Sequence, residues 1–352
     1  MKDGTIRVGD RFINTSEEHI LMCAQLGVDG GFVRLECFPG FEERGRPDPE
    51  AVRRLVRRFQ ELGLDPPGLE LRRSHMKGFL RGLPDERKRE MERIAESMRI
   101  LADCGVVWTS IGFGVAHADD DASGWRGYLD EPIGRAGAVV RSFDASRLDD
   151  GDLVTWGRED PERPGIRVTR EEFWRRLDPF MEGILPVARE TGIRLAFHPN
   201  DPPLPVYRGV EQLLTTVDAQ AELLERYDDP QLGLTFCCGT MQESGGDVVE
   251  GIRRYGRQGK LFHVHFRNVR GTVPRFQEVF QDEGDYDPVE VMRALYQVGF
   301  EGYVIADHLP GLAVDMEKPP TFLLHGMKTG TRDVAHGWSV GYLRALVQAA
   351  RP

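Results

Sequence analysis

Four residues in the second half of the chain could together do transition-metal chemistry: His198, Cys237, His265 and Asp307. Each sits at or near the end of a short run of aliphatic, β-branched or aromatic residues, namely 193–198 (IRLAFH), 232–237 (LGLTFC), 261–266 (LFHVHF) and 302–307 (GYVIAD). Such runs read as buried strands. Taken singly, a histidine at a strand end is a hydrogen-bonded structural residue, Cys237 or Cys238 is core filling, and Asp307 is a helix cap. What separates these residues from that background is recurrence over four consecutive strands. Two imidazoles, one thiolate and one carboxylate suit Mn, Fe, Co or Zn better than Mg or Ca. Beside His198 the turn Asn200-Asp201-Pro202-Pro203 stiffens the loop, because proline fixes φ.

The elements that must position these groups alternate along the chain. Four earlier runs, 5–8, 31–36, 67–71 and 106–111, bring the expected strands to eight. Helical periodicity fills 49–63, 84–104, 169–191, 210–226, 245–256 and 287–298, with Asp48, Thr169 and Asp287 as capping residues. Eight strand-helix units predict one α/β domain over residues 1–352, a (β/α)8 TIM barrel. A doubly wound sheet is the rival, but no glycine-rich phosphate loop follows the first run. In a barrel, functional groups gather at the C-terminal strand ends, where all four residues fall. Residues 113–168, rich in Gly, Asp and Arg, read as a long irregular insertion after strand four that covers the site.

Composition sets the outer limits. With 352 residues, 40% of them apolar, the chain can bury a sizeable core. A net charge of -11 argues against bulk affinity for nucleic acid or an anionic membrane. The absence of an apolar run long enough to span a bilayer and of a secretory leader predicts a cytoplasmic protein. Five cysteines suggest core residues or ligands rather than a disulfide framework.

Around the four residues lie groups suited to an anionic substrate. Arg267 follows His265 by two, and His308 follows Asp307 directly. Glu70 and His75 flank the end of strand three with Arg72, Arg73 and Lys77 among them, and Arg135 and Arg141 lie in the insertion. Most surface arginines are merely solvated. Arg267 is the best placed to hold a carboxylate through two parallel hydrogen bonds.

The motifs AFHPNDPP, LTFCCGT, HVHFRN followed by FQEVFQDEGDYD, and ADH resemble those of the mannonate dehydratase family, most closely over residues 190–310. The resemblance implies a xylose-isomerase-like TIM barrel that dehydrates D-mannonate to 2-keto-3-deoxy-D-gluconate in hexuronate breakdown, with Mn2+ or Fe2+ as cofactor. It implies His198, Cys237, His265 and Asp307 as metal ligands, Arg267 as a substrate contact and His308 as the acid/base. Glu70, His75, Arg135 and Trp338 are further expected substrate-binding residues, and a homodimer is expected. The chain departs from the family at Trp338, where the pattern has a tyrosine. An indole donates a hydrogen bond but cannot exchange a proton as a phenol does, which leaves His336, Tyr342 or water for that task. A sugar isomerase or epimerase on the same barrel would be expected to carry more carboxylate ligands. A non-catalytic sugar-acid-binding barrel is the remaining alternative.

Overall fold

The computed structural model describes residues 6–12, 14–117, 125–149, 153–154, 165–316 and 333–352. Eight parallel strands close into a barrel in chain order: β1 (Arg7–Phe12), β2 (Gly30–Arg34), β3 (Gly68–Leu71), β4 (Trp108–Ile111), β5 (Arg194–Phe197), β6 (Leu232–Cys237), β7 (Leu261–Phe266) and β8 (Tyr303–Ala306). Closure is made by β8 against β1, with Val8 opposite Val304 and Gly9 opposite Ile305. The expected (β/α)8 barrel is the fold.

The helices that matter below are α1 (Glu17–Leu26), α2 (Pro49–Glu61), α3 (Pro84–Ala102), α4 (Arg170–Thr191), α5 (Val217–Tyr227), α6 (Cys238–Glu243), α7 (Val248–Arg257), α8 (Pro288–Gln297) and α9 (Asp333–Ala349). The three expected caps form. Asp48 accepts from Ala51 N at 2.9 Å, Thr169 from Glu172 N at 3.2 Å and Asp287 from Val289 N at 2.8 Å. Each takes up a backbone donor that the first helical turn leaves unpaired. Along α2, Val52, Leu55, Val56 and Phe59 are buried, the i, i+3, i+4, i+7 stripe that seats a helix on a sheet.

Several expected boundaries move for physical reasons. The first strand runs to Phe12, because its polar residues Asp10 and Arg11 have buried partners on opposite faces of the sheet. The second ends at Arg34, and Leu35–Cys37 is a single tight helical turn. The expected helix over 210–226 begins only at Val217, capped by Thr216, because residues 206–211 form a small hairpin. Cys238 opens α6 instead of extending β6.

The largest correction concerns residues 113–168. Tyr128–Glu131 and Val140–Asp144 are strands of a four-stranded antiparallel sheet, completed by the hairpin Asn268–Thr272 and Arg275–Val279 that leaves β7. The pairing is long-range, Phe143 opposite Phe276, which local periodicity cannot announce. Tyr128, Phe143 and Phe276 form its apolar face, with the Phe143 and Phe276 rings stacked at 5.1 Å. Residues 118–124, 150–152 and 155–164 of this segment lie outside the described residues.

A candidate metal centre at the barrel mouth

The four strand-end residues converge. One ligand atom from each of His198, Cys237, His265 and Asp307 can be chosen so that all lie within 4.8 Å of one another. Parallel register does the positioning. Cys237 lies directly opposite His265, and His265 opposite Ile305, two residues before Asp307. His198 continues the ladder past β5 by donating its backbone N–H to Ile111 O at 2.9 Å.

The donor chemistry fits a borderline divalent cation. His198 Nδ1 donates to the Pro199 carbonyl at 2.7 Å, a bond that turns the lone pair of Nε2 toward the cluster, 3.2 Å from His265 Nδ1. Burial lowers the pKa of both imidazoles, which keeps them neutral and able to ligate. Burial opposes the charge on Asp307, but His308, His265, Arg267 and Arg11 outweigh it and hold the carboxyl well below the usual range. Burial also pushes the Cys237 thiol up to about 12, against the pull of Arg267, so a cation must displace its proton. Next to the cluster the second nitrogen of His265 is buried without a partner. Beneath it lies an aromatic layer in which His263 stacks on Trp108 at 5.1 Å and Phe32 faces His265 at 6.2 Å.

An open pocket of about 770 Å³, its mouth included, spreads from His198, His265 and Asp307. Arg11, Glu70, Arg72, Arg73, Ser110, Phe113, Trp125, Asn200, Asp201 and His308 complete its wall. Glu70, expected as a substrate contact, lines it but is paired with Arg11 and lies 3.5 Å from Arg34 Nε. These guanidiniums and Arg72 overcome the penalty of burial and lower the Glu70 carboxyl to about 2. His308 adopts φ 48, a left-handed conformation that costs energy for a non-glycine residue, and lines the pocket with its Nδ1 2.7 Å from Glu278 Oε1.

Other expected contacts fall elsewhere. Arg267 is only 1% exposed and forms no part of the pocket wall. It sits behind Asp201 (2.9 Å), Glu278 (3.2 Å), Glu243 (3.0 Å) and Thr240 (3.0 Å), so its donors are directed at protein carboxylates rather than at a ligand. Gly239 makes this placement possible, because a Cβ there would stand 2.2 Å from Arg267 Nε. His75 is held between Glu36 at 3.1 Å and the Arg72 backbone N–H at 3.1 Å. Arg135 pairs with Asp282 at 2.7 Å and lies over Phe280. Trp338 stacks on Tyr342 at 5.3 Å, and neither ring is part of the pocket wall. His336 donates to Asp10 outside the barrel, at 2.8 Å, and is therefore not the proton carrier that the missing tyrosine suggested. Cys238 is fully buried in the apolar core.

Sequence reasoning missed Arg11, Trp125, Tyr128, Glu243 and Glu278. Arg11 had a signal, since inward and outward residues alternate along a strand and β1 closes the barrel. Glu278 had none, because its partner is 30 residues away on another element. Tyr128 donates to Asp201 Oδ1 at 2.6 Å, joining the antiparallel sheet to the loop after β5.

Barrel and donor set together define a TIM barrel with a candidate metal cradle at its C-terminal mouth. The model of the D-mannonate dehydratase (UxuA) family matches residues 165–343, just over half of the chain, and the chain belongs to that family. It is 36% identical over 146 residues to mannonate dehydratase 2 of Halalkalibacterium halodurans, a stretch that covers 40% of this chain and 42% of that protein. The match thus spans about two fifths of this relative. Among solved structures, mannonate dehydratase from Streptococcus suis serotype 2 superposes with a TM-score of 0.79 at 22% identity, covering 98% of this chain and 93% of the other. A D-psicose 3-epimerase from Clostridium cellulolyticum H10 superposes with a TM-score of 0.61 at 14% identity, covering 97% of this chain and 99% of the other, and shares the fold. No helix among the described residues is long and apolar enough to cross a membrane.

Proposed function

We propose that the protein is a hydro-lyase that converts a sugar acid, D-mannonate first among them, to 2-keto-3-deoxy-D-gluconate and water. His198, Cys237, His265 and Asp307 would hold a divalent metal, Mn2+ or Fe2+. The observation that carries the reading is the convergence of these four donors at the barrel mouth, with His308, the partner of Glu278, beside three of them in the pocket wall. A divalent cation held there would supply positive charge to stabilise the negative charge that builds on a substrate carboxylate as the C2 proton leaves.

The chain's own groups account for the rest. A carboxylate only accepts hydrogen bonds, so Glu278 holds the proton on His308 Nδ1 and assigns proton exchange with the substrate to Nε2. His308 Nε2 takes the C2 proton as the C2–H bond breaks and passes it to the C3 hydroxyl, which leaves as water; the resulting enol gives up its O–H proton and takes one from solvent at C3 to become the 2-keto acid. Arg72, at the pocket wall and 3.9 Å from Glu36, is a better candidate than Arg267 for a substrate carboxylate. Trp125, 6.3 Å from the His308 ring, would shield the reacting carbons.

The protein is proposed to work in the cytoplasm as a homodimer, the commonest symmetric assembly, with residues 1–352 as one domain. The decisive experiment incubates the Mn2+-loaded protein with aldonates and aldoses in D2O. Formation of a 2-keto-3-deoxy acid carrying deuterium at C3 is expected from D-mannonate. Exchange or inversion at C2 without water loss would instead make the protein an epimerase, and binding without any change would make it a sugar-acid receptor.

A further inference from the structure

A second cluster of metal-ligating side chains lies outside the barrel. Arg11 faces the pocket, so its neighbour Asp10 faces the helix layer, where α1 and α9 pack on β1. There Asp10 meets His19 and Cys23, which are four residues apart and therefore share one face of α1. Asp10, Cys23 and the nearby His336 are buried, with relative exposures of 8%, 0% and 7%. This layer is otherwise built from apolar residues such as Ile20, Leu343 and Val340. Placing a carboxylate, two imidazoles and a thiol side by side in it costs free energy that simple packing would not require.

We propose that Asp10, His19 and Cys23 form a second metal site, for Zn2+ or a like tetrahedral cation, independent of the one at the barrel mouth. The spacing is the first argument. Cys23 Sγ lies 3.2 Å from Asp10 Oδ2, His19 Nε2 lies 3.5 Å from the same oxygen, and Sγ and Nε2 are 3.7 Å apart. A tetrahedral zinc with bonds of about 2.0 Å to O and N and about 2.3 Å to S sets its ligand atoms roughly 3.3–3.6 Å apart. The three atoms already stand at nearly those separations.

The surroundings are the second argument. His336 donates from Nε2 to Asp10 Oδ1 at 2.8 Å, which orients the carboxylate and leaves Oδ2 for the cation. Such outer partners are what metal-bound carboxylates and imidazoles ordinarily have. The mixture of N, O and S donors selects a borderline metal over Mg2+ or Ca2+. Three protein ligands leave a fourth position for water, and the side chains of His19 and Asp10 keep 12% and 11% exposure through which an ion can enter. Binding would release the Cys23 proton to solvent and tie α1 to β1, next to the arginine that pairs with Glu70 in the pocket.

The test strips the full chain with a chelator and titrates it with Co2+, reading stoichiometry and the thiolate-to-cobalt charge-transfer absorption. Wild type is expected to load two equivalents and Cys237→Ser one. In the Cys237→Ser background, adding Cys23→Ser should remove the remaining equivalent and its charge-transfer band. His19→Gln in the same background gives the same reading should Cys23→Ser fail to fold. If Cys237→Ser abolishes all binding, or the residual equivalent survives both Cys23→Ser and His19→Gln, the second site is overturned. If instead wild type and Cys237→Ser each load one equivalent that Cys23→Ser removes, the second site stands and the barrel-mouth reading fails.

Discussion

Glu278 accepts a hydrogen bond from His308 Nδ1 at 2.7 Å, linking the antiparallel sheet that leaves β7 to the residue that follows Asp307 after β8. Arg267 Nη1 stands 3.2 Å from the same carboxylate oxygen and also touches Nδ1. A carboxylate only accepts, so the Glu278 contact puts the hydrogen on Nδ1, and with that tautomer Glu278 is the common acceptor of His308 and Arg267. Histidine works as an acid/base near neutral pH and contributes on the order of 10²–10⁴ in rate. His308→Ala should lower turnover by about that factor with metal content unchanged. Glu278→Gln, whose amide can offer a donor to Nδ1, should lower it by roughly 10², at the lower edge of that range. Equal turnover of Glu278→Gln and parent would show that the pair is structural only.

Removing a ligand should remove the mouth metal. His198→Ala and Cys237→Ser are each expected to lose it on dialysis and to lose turnover with it, read by elemental analysis as a drop of one metal equivalent per chain relative to the parent. Cys238→Ser should keep the metal and lose thermal stability, because it places a hydroxyl in the apolar core beside α6.

Arg267 answers for buried carboxylates. Burial works against its charge, but Glu243, Asp201, Cys237 and Glu278 hold it strongly protonated. Arg267→Met would leave those carboxylates without their cation, and breaking a buried pair from one side costs about 3–5 kcal/mol. Urea denaturation should show a loss of that order. A variant as stable as the parent but with a raised KM would restore Arg267 to the role of substrate contact.

Glu70 makes acid stability pH-dependent. Its folded pKa is about 2 against an ordinary 4.5, so its stabilising contribution is present above pH 4.5 and fades as pH falls toward 2. The shift corresponds to on the order of 3 kcal/mol. Glu70→Gln should therefore be less stable than the parent near neutrality, and the gap should narrow on acidification through that window. A constant gap from pH 6 to pH 2.5, read by denaturant midpoints, would remove Glu70 from the list of groups that titrate on unfolding.

Trp338 stacks on Tyr342 with 9° between the rings and packs edge-on against Phe280. Trp338→Phe keeps an aromatic ring in that stack, so turnover should stay within about threefold of the parent, well below the effect of a lost acid/base. A loss as large as that of His308→Ala would bring the ring into the chemistry.

Much of the barrel and its mouth was legible in the chain itself. Buried parallel strands read as continuous apolar runs, helix caps are local, and the ends of neighbouring strands converge whatever the intervening helices contain. Hence His198, Cys237, His265 and Asp307 were recognisable from four strand ends. What only the tertiary structure decided is who faces whom across long separations. Arg267 looks like a substrate anchor until Asp201, Glu243 and Glu278 close around it. Residues 128–144 look irregular until Arg275–Val279 supplies their partner strand. Asp10 looks like an interruption in a strand until His336 arrives from 326 residues away. Periodicity records which face of an element is buried, but the meaning of a buried charge is set by the partner that meets it, and that partner is chosen by the closure of the fold.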